Sequence, residues 1–303
     1  MDLALLQLPM VLFTTLVPMA SGAFVSLALA FLTTRFSKER LARIDRWTLL
    51  PLTMLAAGYL ALFVALSPSQ YAMSLFQGVS ITPLSFMGVA GMLFAVLVVV
   101  YWIIAMTGAL EEFPRKVFAA MVGVAALLLS LGIGVTYMGS AVVTWSSPLV
   151  PLGMVGFCVA GGVPLGVLVV ALAGGLPEVR ETCFPAAALI AAFVGVAAAI
   201  FVVCAHVLHA QSVFVAFFPG SEVLPGSWVY LTISIVGFVA MLAALRSSFI
   251  PRDRAATVMN RAEDAGAGVS RCDRPTIMLL VAGNAAVFIG ILVARLMFYA
   301  LQV

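Results

Sequence analysis

Eight apolar runs, each about as long as a bilayer is thick, constrain what this chain can fold into. They fall at 5–34, 47–66, 84–107, 116–138, 149–173, 183–207, 225–246 and 275–299. At 1.5 Å rise per residue, roughly 20 apolar residues carry a helix across a hydrocarbon core of about 30 Å. The runs lack the two-residue alternation of barrel strands, so their backbone polar groups must be satisfied inside helices. Composition agrees, since 9% of the 303 residues are charged and 64% hydrophobic, where soluble domains carry about a quarter charged residues. The expectation is an all-α, polytopic membrane protein with eight transmembrane helices, a single integral membrane domain over 1–303. The start, Met1-Asp2-Leu3, lacks the basic region of a secretory signal, so the first run reads as a retained helix. Nucleic-acid binding finds no support.

An even number of spans puts both termini on one side, and the basic residues say which. All of the 15 Lys and Arg except Arg295 lie in the connections 35–46, 108–116, 174–182 and 246–274. The alternate connections, 67–83, 139–148 and 208–224, hold none. By the excess of positive charge on cytoplasmic loops, the termini are expected outside. The segment 247–274 mixes both charge signs with Gly and Ala and reads as a mobile cytoplasmic loop. The cation-free connections carry Ser67-Pro68, Trp145 and Pro148. They read either as interfacial turns or as an apolar platform for a partner protein.

Within the spans, polar chemistry is sparse. Arg295 is the only strong charge inside an apolar run, and such a charge at the bilayer centre costs roughly 2.5 to 3.5 kcal/mol on insertion scales. Asn284, Phe288, Ile291, Arg295 and Tyr299 share one helical face. Arg295 therefore either snorkels to the head groups or faces a partner or ligand. The only two histidines, His206 and His209, sit three apart on the sixth run, so they share a face and read either as a polar cap where the helix meets water or as a proton relay or quinol ligand near neutral pH. Two histidines one turn apart on one helix cannot clasp a haem from both sides, so no haem is expected. Cys158, Cys183, Cys204 and Cys272 form no CxxC pair, and no iron–sulfur cluster is expected in this chain. A proton-coupled transporter needs ionisable residues through the membrane, which the second, third, fourth, fifth and seventh runs lack. The acids Glu111, Glu112, Glu178 and Glu181 lie among bases and read as solvated.

A weak repeat relates the two halves. Pro9, Ser21-Gly22-Ala23 and Leu27-Ala28-Leu29-Ala30 in the first run parallel Pro151, Ala160-Gly161-Gly162 and Val170-Ala171-Leu172-Ala173 in the fifth. A repeat of four helices is parallel and gives two four-helix bundles; small residues also recur simply because they allow close packing.

Taken in order, several of these stretches resemble the membrane anchor subunit of bacterial dimethyl sulfoxide reductase. The opening from Leu8 through Thr14, Gly22-Ala23-Phe24 and Ser67-Pro68 match first. Thr144-Trp145, Pro151-Leu152-Gly153, Gly161-Gly162, and Arg295 with Phe298-Tyr299 follow. The resemblance implies an anchor in the bacterial cytoplasmic membrane that oxidises menaquinol. It would pass electrons to an iron–sulfur subunit on the outer face and so to a molybdopterin catalytic subunit. Well-known members carry a histidine ending helix two and a glutamate early in helix three at the quinol site. Ala65, Phe86 and Met87 stand there instead. The expected quinol site therefore uses Arg295 and Tyr299 as donors and His206 as acceptor, with His209 nearby. Ser67, Gln70 and Tyr71 line it, and Phe86 and Met87 form its apolar wall. The alternatives are a small-molecule transporter and a structural anchor that has lost its quinol site.

Overall fold

Leu, Val, Ala and Phe runs without interior charge form helices because every backbone N–H and C=O finds its partner within the segment. The computed structural model describes residues 7–65, 83–108, 110–138, 145–212, 214–215, 218–219, 226–250 and 274–300. In chain order the elements are α1 (Leu8–Thr33), α2 (Lys38–Trp47), α3 (Leu49–Ala65), α4 (Pro83–Met106), α5 (Glu112–Met138), α6 (Leu149–Leu172), α7 (Leu176–Arg180) and α8 (Phe184–Ser212). Strands β1 (Phe214–Val215) and β2 (Phe218–Pro219) follow, then α9 (Ser227–Phe249) and α10 (Arg274–Ala300). The two short strands pair antiparallel. Among the described residues, eight helical spans are long and apolar enough to cross a membrane, α2 and α3 together making one of them.

Two helical details differ from the sequence reading. The cationic connection 35–46 is mostly helix, α2, whose Ser37 side chain accepts from the Arg40 N–H at 3.3 Å. Glu39 in its first turn and Arg46 in its last suit the helix dipole. The Arg180 connection likewise holds the one-turn helix α7, with Pro177 in its first turn.

Helices α1 and α6 form the centre: 78% and 83% of their apolar windows are buried, against 28% to 44% for the other six spans. They run parallel, because Ser21 meets Cys158, Gly22 meets Gly162 and Ser26 meets Gly166 in the same order along both chains. Their backbones nearly touch. A Cβ built on Gly22 would lie 1.9 Å from the Cys158 carbonyl oxygen, so no other residue fits without separating the helices. Around α1 stand α3 and α5, with α4 on α5; around α6 stand α8 and α10, with α9 packed on both of these. This gives two parallel groups of four spans joined along α1 and α6. Their outward faces carry Leu93, Val124, Phe193, Val236 and Met278, all more than half exposed, as a hydrocarbon solvent allows.

The basic connections meet at one end of the bundle. Buried Arg115 at the start of α5 reaches both oxygens of buried Asp45 on α2, at 2.7 and 2.9 Å. The Trp102 indole on α4 donates to the Asp45 carbonyl. Arg40 pairs with Glu178 on α7 at 3.2 Å, and Arg180 donates to the Ser248 carbonyl at the end of α9. Glu178 is thus half-buried and paired, where the sequence suggested a solvated charge. Most of the 247–274 segment, with Arg252, Arg254, Arg261 and Arg271, lies outside the described residues.

Candidate functional site

At the end opposite these bases, the polar stripe of α10 turns inward. Asn284, Ile291, Arg295 and Tyr299 are buried and Phe288 partly so. Arg295 is 2% exposed, so it does not snorkel to the head groups. Its Nε donates to the Thr14 hydroxyl on α1 at 3.0 Å, and Thr14 in turn donates to the Met10 carbonyl. Aromatic faces supply the rest of its surroundings. The guanidinium carbon lies 4.1 Å from the Phe298 ring centre, 5.1 Å from Tyr299 and 5.4 Å from Tyr137, distances at which ring quadrupoles attract a cation. Arg295 Nη2 has no hydrogen-bond partner among the described residues.

That cage is itself braced. The Trp145 ring stacks on Phe298 at 5.2 Å, and its indole N–H donates to the Phe298 carbonyl at 3.0 Å. The hydroxyls of Tyr137 and Tyr299 hydrogen-bond to one another. Tyr299 therefore faces α5, its hydroxyl already engaged.

His206 also packs against Phe298, the two rings near perpendicular with centres 5.4 Å apart. Its Nδ1 lies 2.9 Å from the Val202 carbonyl. A carbonyl can only accept, so Nδ1 carries the proton and Nε2 keeps a free lone pair. Nε2 is buried and has no partner among the described residues. His206 and Arg295 line one cleft with Val150, Phe157, Val202 and Phe298, and its volume of about 10 Å³ is that of one water. His209, one turn further on, is exposed.

The structure thus brings together His206 and Arg295, with Tyr299 behind Arg295. Ser67, Gln70 and Tyr71 lie outside the described residues, as do the side chains of Phe86 and Met87 on α4. Helices α3 and α4 pack chiefly on α1, α2 and α5, whereas the cleft lies between α6, α8 and α10. Tyr137 was not singled out from sequence, and Thr14 and Trp145 entered only as parts of the resemblance and of a cation-free connection, not as site residues. A hydroxyl or ring near a helix end signals only an interface, and the contact with Thr14 spans 281 residues.

The family model of the DMSO reductase anchor subunit (DmsC) matches residues 1–255. The chain belongs to the DMSO reductase anchor subunit family. Comparison with curated proteins and with solved structures gave no match. The anchor-family match takes in α1 through α9, so Thr14, Tyr137, Trp145 and His206 lie within it. Arg295 and Tyr299, on α10, lie beyond it. A multi-pass membrane subunit is what the eight spans and the anchor family both describe.

Proposed function

We propose that this chain is the quinol-oxidising anchor of a heterotrimeric molybdoenzyme of anaerobic respiration in the bacterial cytoplasmic membrane. It binds menaquinol at the end of the bundle opposite its basic connections. From there it passes electrons to an iron–sulfur subunit docked on the outer face, which serves a molybdopterin catalytic subunit. The observation that carries the reading is the pair of buried, unpartnered nitrogens, His206 Nε2 and Arg295 Nη2, on two residues lining one cleft. A buried donor or acceptor without a partner costs about 1 to 3 kcal/mol, so the acceptor Nε2 and the donor Nη2 together suit a ligand that donates at one oxygen and accepts at another.

A quinol does both. Oxidation breaks its two O–H bonds and releases two protons and two electrons. His206 Nε2 takes one hydroxyl proton while Arg295 donates to the opposite ring oxygen, whose own proton passes to water at the outer face, where His206 also releases the one it took. The electrons leave for the partner's clusters. A ring exceeds the water-sized cleft, so the head group must displace a lining side chain, and Phe298, which contacts both His206 and Arg295, is the one that would move.

A second reading, a structural anchor without quinol turnover, draws on that small cleft and on Ala65, the last residue of α3, where family members carry histidine. Family membership argues against a transporter. The test uses the intact complex, given a short-chain naphthoquinol, with cluster reduction followed by electron paramagnetic resonance. Arg295→Leu and His206→Leu should each slow cluster reduction by roughly 10- to 100-fold in an assembled complex, the effect of losing a charge-assisted hydrogen bond of about 1.5 to 3 kcal/mol. His209→Leu should do less. Wild-type turnover in both variants would place the site elsewhere, and no reduction by the wild type would favour the structural anchor.

A further inference from the structure

A second cavity lies at the other end of the bundle. About 510 Å³ in volume, it lies between the end of α1, α2, the end of α4 and the start of α5. Five bases line it, Arg35, Lys38, Arg46, Arg115 and Lys116, against three acids, Asp45, Glu111 and Glu112. Two of the acids are already matched. Asp45 is held by Arg115, and Glu112 lies 2.7 Å from Lys116 and 3.4 Å from Arg35. Lys38 and Arg46 form no ion pair among the described residues and stand exposed on α2.

A second observation points to a missing oxygen. Arg115 is 4% exposed, and its Nε has no hydrogen-bond acceptor among the described residues although both Asp45 oxygens are close. An acceptor offering several oxygens would satisfy it and the two unpaired bases together, as a phosphate does. The remaining wall is apolar, made by Phe31, Leu41, Ala105, Met106 and Leu110. A soluble anion would leave that wall wet, whereas a phospholipid covers it with glycerol and the first methylenes of its chains.

We propose that this cavity binds the phosphate group of an anionic phospholipid, with Lys38 and Arg46 holding the charge, Arg115 Nε donating from below, and the apolar wall receiving the chain ends. The site lies where positively charged span ends meet lipid head groups, the setting in which basic pockets between helices take anionic lipids. It is independent of the quinol reading.

The full-length chain, purified in dodecyl maltoside, is given equal amounts of dioleoyl phosphatidylglycerol and dioleoyl phosphatidylcholine, and retained lipid is counted by native mass spectrometry. The wild type should keep the glycerol lipid in preference to the choline lipid. Lys38→Gln with Arg46→Gln should cut that preference by about tenfold or more, given the attraction of each base near a membrane surface. Arg246→Gln, exposed at the end of α9, should leave it unchanged. A preference that survives the double substitution, or is absent from the wild type, overturns the proposal. If inorganic phosphate alone raises the melting temperature of the wild type but not of the double variant, while neither lipid is preferred, the ligand is a soluble phosphate and the lipid assignment fails.

Discussion

Arg295 is held by one hydroxyl and three aromatic faces, and each holds a different part of it. Thr14 fixes Nε, the rings cover the plane, and Nη2 is left for a ligand. Thr14→Val removes the acceptor while keeping the shape, so it should lower stability by about 1 to 3 kcal/mol, whereas Thr14→Ser should retain most of it. Thermal unfolding of the solubilised protein measures the difference, and equal melting of the two variants would remove Thr14 from this role. His206 offers a parallel test. If neutral Nε2 takes the quinol proton, turnover declines in acid as the ring becomes charged, and His206→Gln should be slow at all pH and lose that acid limb. Both residues were legible from sequence, one as the lone charge in an apolar run and the other as half of the histidine complement. Their surroundings were not, because Thr14 and Tyr137 come from distant spans and carry no local signal of what they face.

Helix α2 shows how an element can hide in a charged stretch. Its ten residues have Lys, Glu, Arg and Asp on every turn, which looks like a solvated connection until Asp45 and Ile44 are found buried. The Ser37 cap was the available clue. Asp45→Asn should leave Arg115 as an unmatched buried cation at a cost of about 3 to 5 kcal/mol, read as loss of folded protein in detergent. An unchanged melting temperature would mean that water or lipid already neutralises Arg115. The apolar spans were legible because length and composition alone define them. What that pattern does not encode is which faces meet, and here small residues decide. Gly22→Leu forces a side chain into the α6 backbone and should destabilise by at least the 1 to 3 kcal/mol usual for overpacking. Leu93→Ala on the exposed face of α4 should change stability by less than about 0.5 kcal/mol. Comparable effects of the two on resistance to denaturing detergent would refute the central role of the α1–α6 contact.

For the molecule as a whole, the two parallel groups of four spans agree with the weak repeat read from Gly22 and Gly162, which prove to be each other's neighbours. The basic connections gather at one end and the candidate site at the other. If the bases face the cytoplasm, a periplasm-active reporter fused after Val303 should be active. Activity of a cytoplasmic reporter there would reverse the orientation and put the proposed quinol site on the inner side. The contact between Thr14 and Arg295, 281 residues apart, also has a meaning for biosynthesis. The first span leaves the ribosome with its hydroxyl in place, and the cation that needs it arrives only with the last. Until the two meet, the final span carries a bare charge into hydrocarbon. The cost of that charge is therefore relieved only when the last span packs against the first, and a chain cut short before α10 lacks Arg295 and Tyr299 altogether.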